Sequence, residues 1–441
     1  MNEKTSVLVV ASPSPTTGGG GGRALRSLRR YIRHFNTFLF IPWGLWANES
    51  ILRDSISYLR DLREIGVRFA GFSRIPKILY ELHEVLGVNV KTLLPLAVPG
   101  IASLKVRDED YGAVVVLHEV WDAVYSGNVL AELFDAPNAV LLQLPPFYGS
   151  RKRFLNIMRA VLLWRELRGG TAVEKSLFRI EAVTRRSVEE WLGRLRYEET
   201  LRRYTLVLGV SKAIAAEMGG EWLGKVVCFD PGVSLDHEDM AIIRSVRERV
   251  RGRENYVVFG GRPSADKGLA EALISFKLIS KHVPGIKLVV TGKVAPKMLA
   301  HVKGVCRRLG IDDKVVFTGF IPREERFEVV ARARLMLYPS HVDSFSYAVL
   351  ESLHLGTPVV AYRIPAIEIY YGENPGVELV EECDLEALTT KAVDVLEKGV
   401  EAIEPPKIKS WEEIMNEETE IISKLASQHR AAFIGRSSRE T

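Results

Sequence analysis

Two basic residues, Arg262 and Lys267, stand five positions apart in the stretch "GRPSADKG". Two acidic residues, Asp343 and Glu351, stand eight apart in "PSHVDSFSYAVLESLHLGTPVVAY". An arginine can hold two phosphate oxygens at once, whereas a lysine acts as a compact charge. The basic pair on a short Gly-flanked loop (Gly261 at its start) therefore suits the neighbouring negative charges of a diphosphate. Asp343 precedes a helix expected to begin near Ser346, whose N-terminal N–H groups favour an anionic or hydroxyl-rich ligand. Glu351 lies about 7–8 Å along that helix axis, in reach of the two hydroxyls of a ribose. On its apolar helix turn such a carboxylate needs a partner. Simpler readings stand beside these: two solvent-facing cations in a turn, a helix-capping aspartate, a surface glutamate.

The elements around these residues place them at one sheet edge. From Tyr256 onward, Val-rich runs ("YVVFGG", "IKLVVTG", "KVVFTGF", "LMLYPS", "PVVAY") alternate with amphipathic helical segments. Sustained alternation of this kind predicts an α/β fold with a mainly parallel, doubly wound sheet, which binds ligands beyond the carboxyl ends of its strands. The N-terminal half repeats the pattern less regularly, in "SVLVVAS", "GAVVVLHEV", "NAVLLQLP" and "TLVLG". A chain of 441 residues exceeds one typical core. We expect an N-terminal Rossmann-like domain over 1–235, a charged linker over 236–253, a C-terminal Rossmann-like domain over 254–405, and a final helix and tail over 406–441 that can pack back on the N-terminal domain. The two α/β domains are expected to face each other across a cleft.

The strand followed by "GRPSADKG", then an acid, seven residues and a glutamate before "GTPVV", resembles the retaining GT-B-fold glycosyltransferases. That family includes glycogen and sucrose synthases and mannosyltransferases. The resemblance covers most of Tyr256 to Val395, and "LGVSKAIAAEM" and "FDPGVSLD" extend it. It implies a nucleotide-diphosphate sugar donor, UDP- or GDP-linked, and a sugar, glycolipid or lipid-linked saccharide acceptor. Arg262 and Lys267 would bind and stabilise the leaving diphosphate, with Gly261 beside them. Glu351 would hold the ribose, and Asp343 would contact the donor sugar where the family usually has glutamate. The backbone at Phe345 and Ser346 would grip sugar hydroxyls and phosphate, and the Thr318–Ile321 loop, with Gly319 and Phe320, would lie near the base. The family retains anomeric configuration without a placed nucleophile, so the acceptor proton would pass to the departing phosphate. A glycosidase, by contrast, sets two carboxylates about the scissile bond. No Asp-x-Asp pair lies in a suitable loop, and neither metal nor cofactor is expected.

The acceptor side is less sharply marked. The resemblance asks for a histidine after a mid-domain strand; His118 in "VVLHEVWD" offers one, and Gln143 in "LLQLPPFYG" occupies the alternative position. Glu119 and Asp122 share the edge with His118. Near the start, Gly18 to Gly22 follow the first apolar run and precede Arg23. Side-chain-free backbone can approach an anion, so Gly19, Gly20 and Gly21 are expected to form a phosphate loop that orders over substrate.

Composition bounds the rest. Net charge is +5, too modest to imply nucleic acid. Between Arg23 and Arg33 there are five arginines and no acid, and 14 Lys/Arg face 7 Asp/Glu from Arg151 to Arg203. Phe154, Ile157, Val161 and Trp164 at helical spacing among these cations suit either an anionic membrane surface or core packing. Cys228, Cys306 and Cys383 are widely separated, giving neither a disulfide framework nor metal-ligand spacing. No leader pattern opens the chain and no apolar run is long enough to span a bilayer. We expect a cytoplasmic protein, with the inner face of a membrane as an alternative place of work. A dinucleotide-dependent dehydrogenase is disfavoured because no G-x-G-x-x-G opens a helix after a strand with an acid downstream. A GT-B-fold epimerase, or a nucleotide-sugar-binding scaffold without turnover, remains the alternative.

Overall fold

In the computed structural model the described residues are 4–11, 20–42, 60–73, 102–104, 109–168, 194–294, 296–400 and 403–437. The chain divides into two compact units. Unit 1 comprises Met1–Phe147, Val188–Val233 and Lys409–Thr441, and unit 2 comprises Tyr148–Ser187 and Ser234–Ile408.

Unit 1 holds β1 (Ser6–Val10), β2 (Asn36–Ile41), β3 (Arg68–Ser73), β4 (Ala102–Leu104), β5 (Tyr111–Val116), β6 (Asn138–Leu142), β7 (Leu206–Gly209) and β8 (Val226–Cys228). They form one sheet in the order β4-β3-β2-β1-β5-β6-β7-β8, parallel except for the β3–β4 pair. β1 and β5 are buried at every position, as expected of strands covered on both faces. Helices α1 (Gly20–His34), α2 (Trp121–Leu133), α4 (Lys212–Met218) and α5 (Trp222–Lys225) belong to this unit, and α3 (Arg151–Arg168) to the other.

Unit 2 holds β9 (Tyr256–Phe259), β10 (Lys287–Thr291), β11 (Val315–Gly319), β12 (Leu335–Tyr338), β13 (Val359–Tyr362) and β14 (Val377–Val380). The order β11-β10-β9-β12-β13-β14 is wholly parallel. Chain direction across the sheet therefore reverses between β9 and β12, the topological switch point of a doubly wound fold. Its helices are α6 (His237–Arg249), α7 (Leu269–His282), α8 (Pro296–Leu309), α9 (Arg323–Arg332), α10 (Tyr347–His354), α11 (Pro365–Tyr371) and α12 (Leu385–Lys398).

Two boundaries differ from those read in the sequence. The 236–253 segment is no linker: α6 packs on α9, burying Ile243 and Val246 from its charged surroundings. Arg249 pairs with Glu324 and Glu328 at 2.6 and 3.0 Å across that contact. Residues 148–187, expected in the N-terminal domain, fall in unit 2, where α3 packs on α7 and α8. Of the apolar residues proposed to dock on a membrane, Trp164 is buried in this packing and Phe154, Ile157 and Val161 are half-buried. Helical periodicity identifies an apolar face without saying which sheet it will cover.

The last helix, α13 (Trp411–Ser437), belongs to unit 1 and runs beside β5 and α1. Gly112 makes the approach to β5 close: a Cβ there would lie 3.3 Å from that of Ala426 and 2.5 Å from Thr5 Cγ2. A buried ion pair fixes α1 to α13. Arg23, 2% exposed, binds Glu418 through Nη2, Ser27 Oγ through Nη1 at 2.6 Å and the Gly232 carbonyl through Nε at 2.8 Å. Tyr31 donates to the other Glu418 oxygen at 2.6 Å. Removing one partner strands a buried charge, so Glu418→Gln is expected to destabilise unit 1 by about 3–5 kcal/mol. The paired change Arg23→Leu with Glu418→Leu should cost less, and urea unfolding of the three proteins would show an equal or larger loss in the pair if this assignment is wrong.

Candidate functional site

β9 and β12 end side by side, and their following loops carry most of the residues singled out above. Gly260 must be glycine to pass under β12, since a Cβ there would meet Met336 Sδ and Tyr338 Cδ2, each at 2.7 Å. At the other end of the same loop Gly268 has φ +73°, and a Cβ would fall 1.9 Å from the Pro339 carbonyl oxygen. The loop is thereby pressed against the end of β12.

Lys267 points into this junction. Its ammonium donates to Asp343 Oδ2 at 2.9 Å and to the Val342 carbonyl at 2.5 Å. Burial works against the charged lysine, but Asp343 and the other acidic neighbours more than offset it and raise its pKa. Asp343 Oδ2 also accepts from Tyr338, while Oδ1 accepts the backbone N–H groups of Ser344, Phe345 and Ser346 at 2.8, 3.3 and 3.0 Å. Burial would raise the Asp343 pKa, but Lys267 and the hydrogen bonds to Tyr338 and Lys267 hold it below the ordinary carboxylate value. Asp343 thus organises the turn into α10. Ser346, at φ +68°, is the N-cap residue, its hydroxyl accepting from Val349 N at 3.3 Å.

Other residues take different places from those expected. Phe345 is 3% exposed and packs on Tyr370 and Tyr371 at ring-centre distances of 4.9 and 5.5 Å. Its backbone N–H, like that of Ser346, is already turned to Asp343. Glu351 is buried and held by both ends of the Arg326 guanidinium, with Nη2–Oε1 at 2.9 Å. Arg326, on α9, was missed in the sequence, although the need of Glu351 for a partner was legible. Arg262 is exposed and its side chain has no hydrogen bond or ion pair with another described residue. Gly319 and Phe320 sit at the carboxyl end of β11, with φ +67° at the glycine and the phenyl ring 81% exposed.

In unit 1 the corresponding switch point lies between β1 and β5. Gly20 and Gly21, expected in a phosphate loop, instead open α1, and Gly19 lies outside the described residues. His118 and Gln143, the two alternatives for one role, turn out to be neighbours: Gln143 Nε2 lies 3.5 Å from His118 Nδ1 and donates to the Leu117 carbonyl at 2.7 Å. The contact fits Nδ1 as acceptor, leaving Nε2 to carry the proton; that atom is buried without a partner among the described residues. Glu119 Oε2 accepts the Gln143 N–H at 3.2 Å, and burial raises its pKa. Among the described residues, no three His, Cys, Asp or Glu side chains gather as a metal site.

Residues 244–408 match the family described as Glycosyl transferases group 1. Over those residues the chain is similar to the group 1 glycosyl transferases. It is similar to D-inositol 3-phosphate glycosyltransferase of Segniliparus rotundus, with 28% identity over 130 residues, 29% of each chain. It is also similar to alpha-monoglucosyldiacylglycerol synthase of Streptococcus pneumoniae, with 28% identity over 150 residues, 32% of this chain and 33% of the relative. The match thus spans about a third of these relatives' lengths. A longer one joins it to 2-deoxystreptamine glucosyltransferase of Streptomyces kanamyceticus, with 26% identity over 335 residues, 69% of this chain and 79% of the relative. In fold the chain resembles sucrose-phosphate synthase of Thermosynechococcus elongatus (TM-score 0.56, 13% identity, 99% and 100% of the two chains). It likewise resembles HepE of Anabaena in complex with UDP-glucose (TM-score 0.55, 13% identity, 98% and 99%).

Burial pushes the His118 pKa down to about 4, so the imidazole is neutral at pH 7. An unfolded histidine takes its proton near pH 6.5, so protonation favours the unfolded chain as pH falls from there toward the folded value. His118→Gln is expected to flatten the loss of stability between about pH 6.5 and 4. An NMR titration in which the His118 ring protonates above pH 6 would overturn the assignment.

Proposed function

We propose that this chain transfers a hexose from a UDP- or GDP-linked donor to a hydroxyl of a sugar, glycolipid or lipid-linked saccharide, with retention at the anomeric carbon. The observation that carries the proposal is Lys267, a half-buried ammonium fixed by Asp343 and the Val342 carbonyl at the switch point of the domain that matches the group 1 family. Beside it the exposed Arg262 has a guanidinium available for phosphate oxygens. HepE, of similar fold, is seen with UDP-glucose, which supports a nucleotide-sugar donor here.

In this reading Arg262 and Lys267 bind the diphosphate and stabilise the charge it gains as the bond to the anomeric carbon breaks. The acceptor oxygen bonds to that carbon on the same face, and its proton passes to the departing phosphate oxygen. Glu351, held rigid by Arg326, takes the ribose hydroxyls through its remaining lone pairs. Gly319 and Phe320 meet the base, and the exposed phenyl ring offers it a face to stack on. Asp343 shapes the loop, acting on the donor through the lysine it orients. Neutral His118 offers its Nε2 proton to a sugar hydroxyl. The two cations supply the charge that a divalent metal would otherwise bring, so turnover proceeds without one. Positioning and electrostatics carry the rate.

A panel of nucleotide sugars and acceptors, read by mass spectrometry in EDTA, tests this. The wild type should transfer sugar, with Lys267→Ala slower by about 10²–10³-fold, the effect of losing one such stabilising donor. Glu351→Gln should chiefly raise the donor KM. Nucleotide binding without turnover on any acceptor would mark a scaffold instead, and equal transfer by Lys267→Ala would overturn the site.

A further inference from the structure

His341, at the carboxyl end of β12, is fully buried two residues before Asp343. Its Nδ1 lies 2.7 Å from Glu382 Oε1 and its Nε2 2.9 Å from Glu271 Oε1. A neutral imidazole has one N–H, so two ring nitrogens that each face a carboxylate call for two protons. Burial works to lower the His341 pKa, but the hydrogen bonds to Glu271 and Glu382 prevail and raise it.

The charged groups around this imidazolium come from separate elements of unit 2. Glu271 lies on α7 and Glu382 follows β14. Arg153 of α3 pairs with Glu382 at 2.5 Å and donates from Nη2 to the His341 carbonyl at 2.7 Å. Asn156, also on α3, donates to Glu382 Oε2 at 2.6 Å, and the Tyr362 ring of β13 lies 5.2 Å from the imidazole. Two cations thus balance two carboxylates inside the protein, where an unbalanced charge is costly.

The backbone of the same residue is fixed on its other side. His341 N donates to the Asp266 carbonyl at 2.9 Å, tying the β12 loop to the residue before Lys267. The next two residues, Val342 and Asp343, are the two acceptors of the lysine ammonium.

We propose that His341 is a positioning residue of the diphosphate site. Clamped between Glu271 and Glu382, it holds the Val342 carbonyl and the Asp343 carboxylate where they aim Lys267 at the donor. This inference rests on the donor reading above. Replacing the ring by a neutral amide leaves two buried carboxylates against one guanidinium. Neutralising Glu271 as well restores the balance, because Glu382 and Arg153 still pair.

The test compares the full-length wild type with His341→Gln and with Glu271→Gln/His341→Gln. Amide hydrogen exchange is read at Ser344–Ser346 without ligand, and UDP and GDP affinities by calorimetry. In His341→Gln, exchange at these amides should quicken and nucleotide affinity fall by about tenfold or more, with both effects largely reversed in the double variant. A merely structural role lowers Tm and leaves both readings at the wild-type level in the folded variant, which overturns the proposal. Should the single variant fail to fold, fast exchange in a folded double variant overturns it, and slow exchange supports it. If the wild type binds neither nucleotide, the donor reading fails while the exchange result still decides the role of His341.

Discussion

A parallel sheet whose chain reverses direction at its middle leaves a gap between the two loops that diverge there. The Lys267–Asp343 ion pair closes that gap in unit 2. One carboxylate oxygen receives the lysine and Tyr338, and the other receives three successive backbone amides. The strand ends, the helix that follows and the orientation of the cation are therefore set together. Gly268 is the steric counterpart, because any side chain there would collide with Pro339 and push the two loops apart. Attraction and close packing act on the same few ångströms of chain.

The alternation of Val-rich runs and amphipathic helices made the α/β class readable, since fully covered parallel strands admit few polar residues. It also located β9, β10, β11, β12 and β13 within a residue or two. β2 was not resolved because its apolar residues run on into "PWGLWA" without a turn signal, and β14, "VELV", is too short to distinguish by composition. Among candidate site residues, Arg262, Lys267, Asp343 and Glu351 could be named because their types and spacing were local. What they touch could not. Arg326 is 25 positions from Glu351, and Arg153 is 188 from His341; spacing in the chain carries no trace of such contacts. Asp343 illustrates the difference, for the residue was found while its work, shaping a turn, became clear only from its hydrogen bonds.

Charge placement shows a second regularity. The basic run of α1 contains one arginine, Arg23, that is a core residue, and its fate was invisible in a count of charges. The α3 run likewise includes Arg153, which serves a buried glutamate. In both cases an excess of positive charge in sequence is compensated by acids far along the chain, so a local count overstates what remains for an anionic partner. His118 is the opposite case: a titratable group kept neutral by burial next to an amide.

Neither unit is a continuous piece of chain. Unit 1 begins at the first residue, is interrupted twice, and is finished by Lys409–Thr441. During synthesis its sheet leaves the ribosome well before Glu418 exists to neutralise Arg23, and before Ala426 can pack over Gly112. Ser234–Ile408, the larger part of unit 2, is translated in the meantime. β1 thus waits for α13 before its surroundings are complete, whereas every segment of unit 2 precedes Lys409 in the chain.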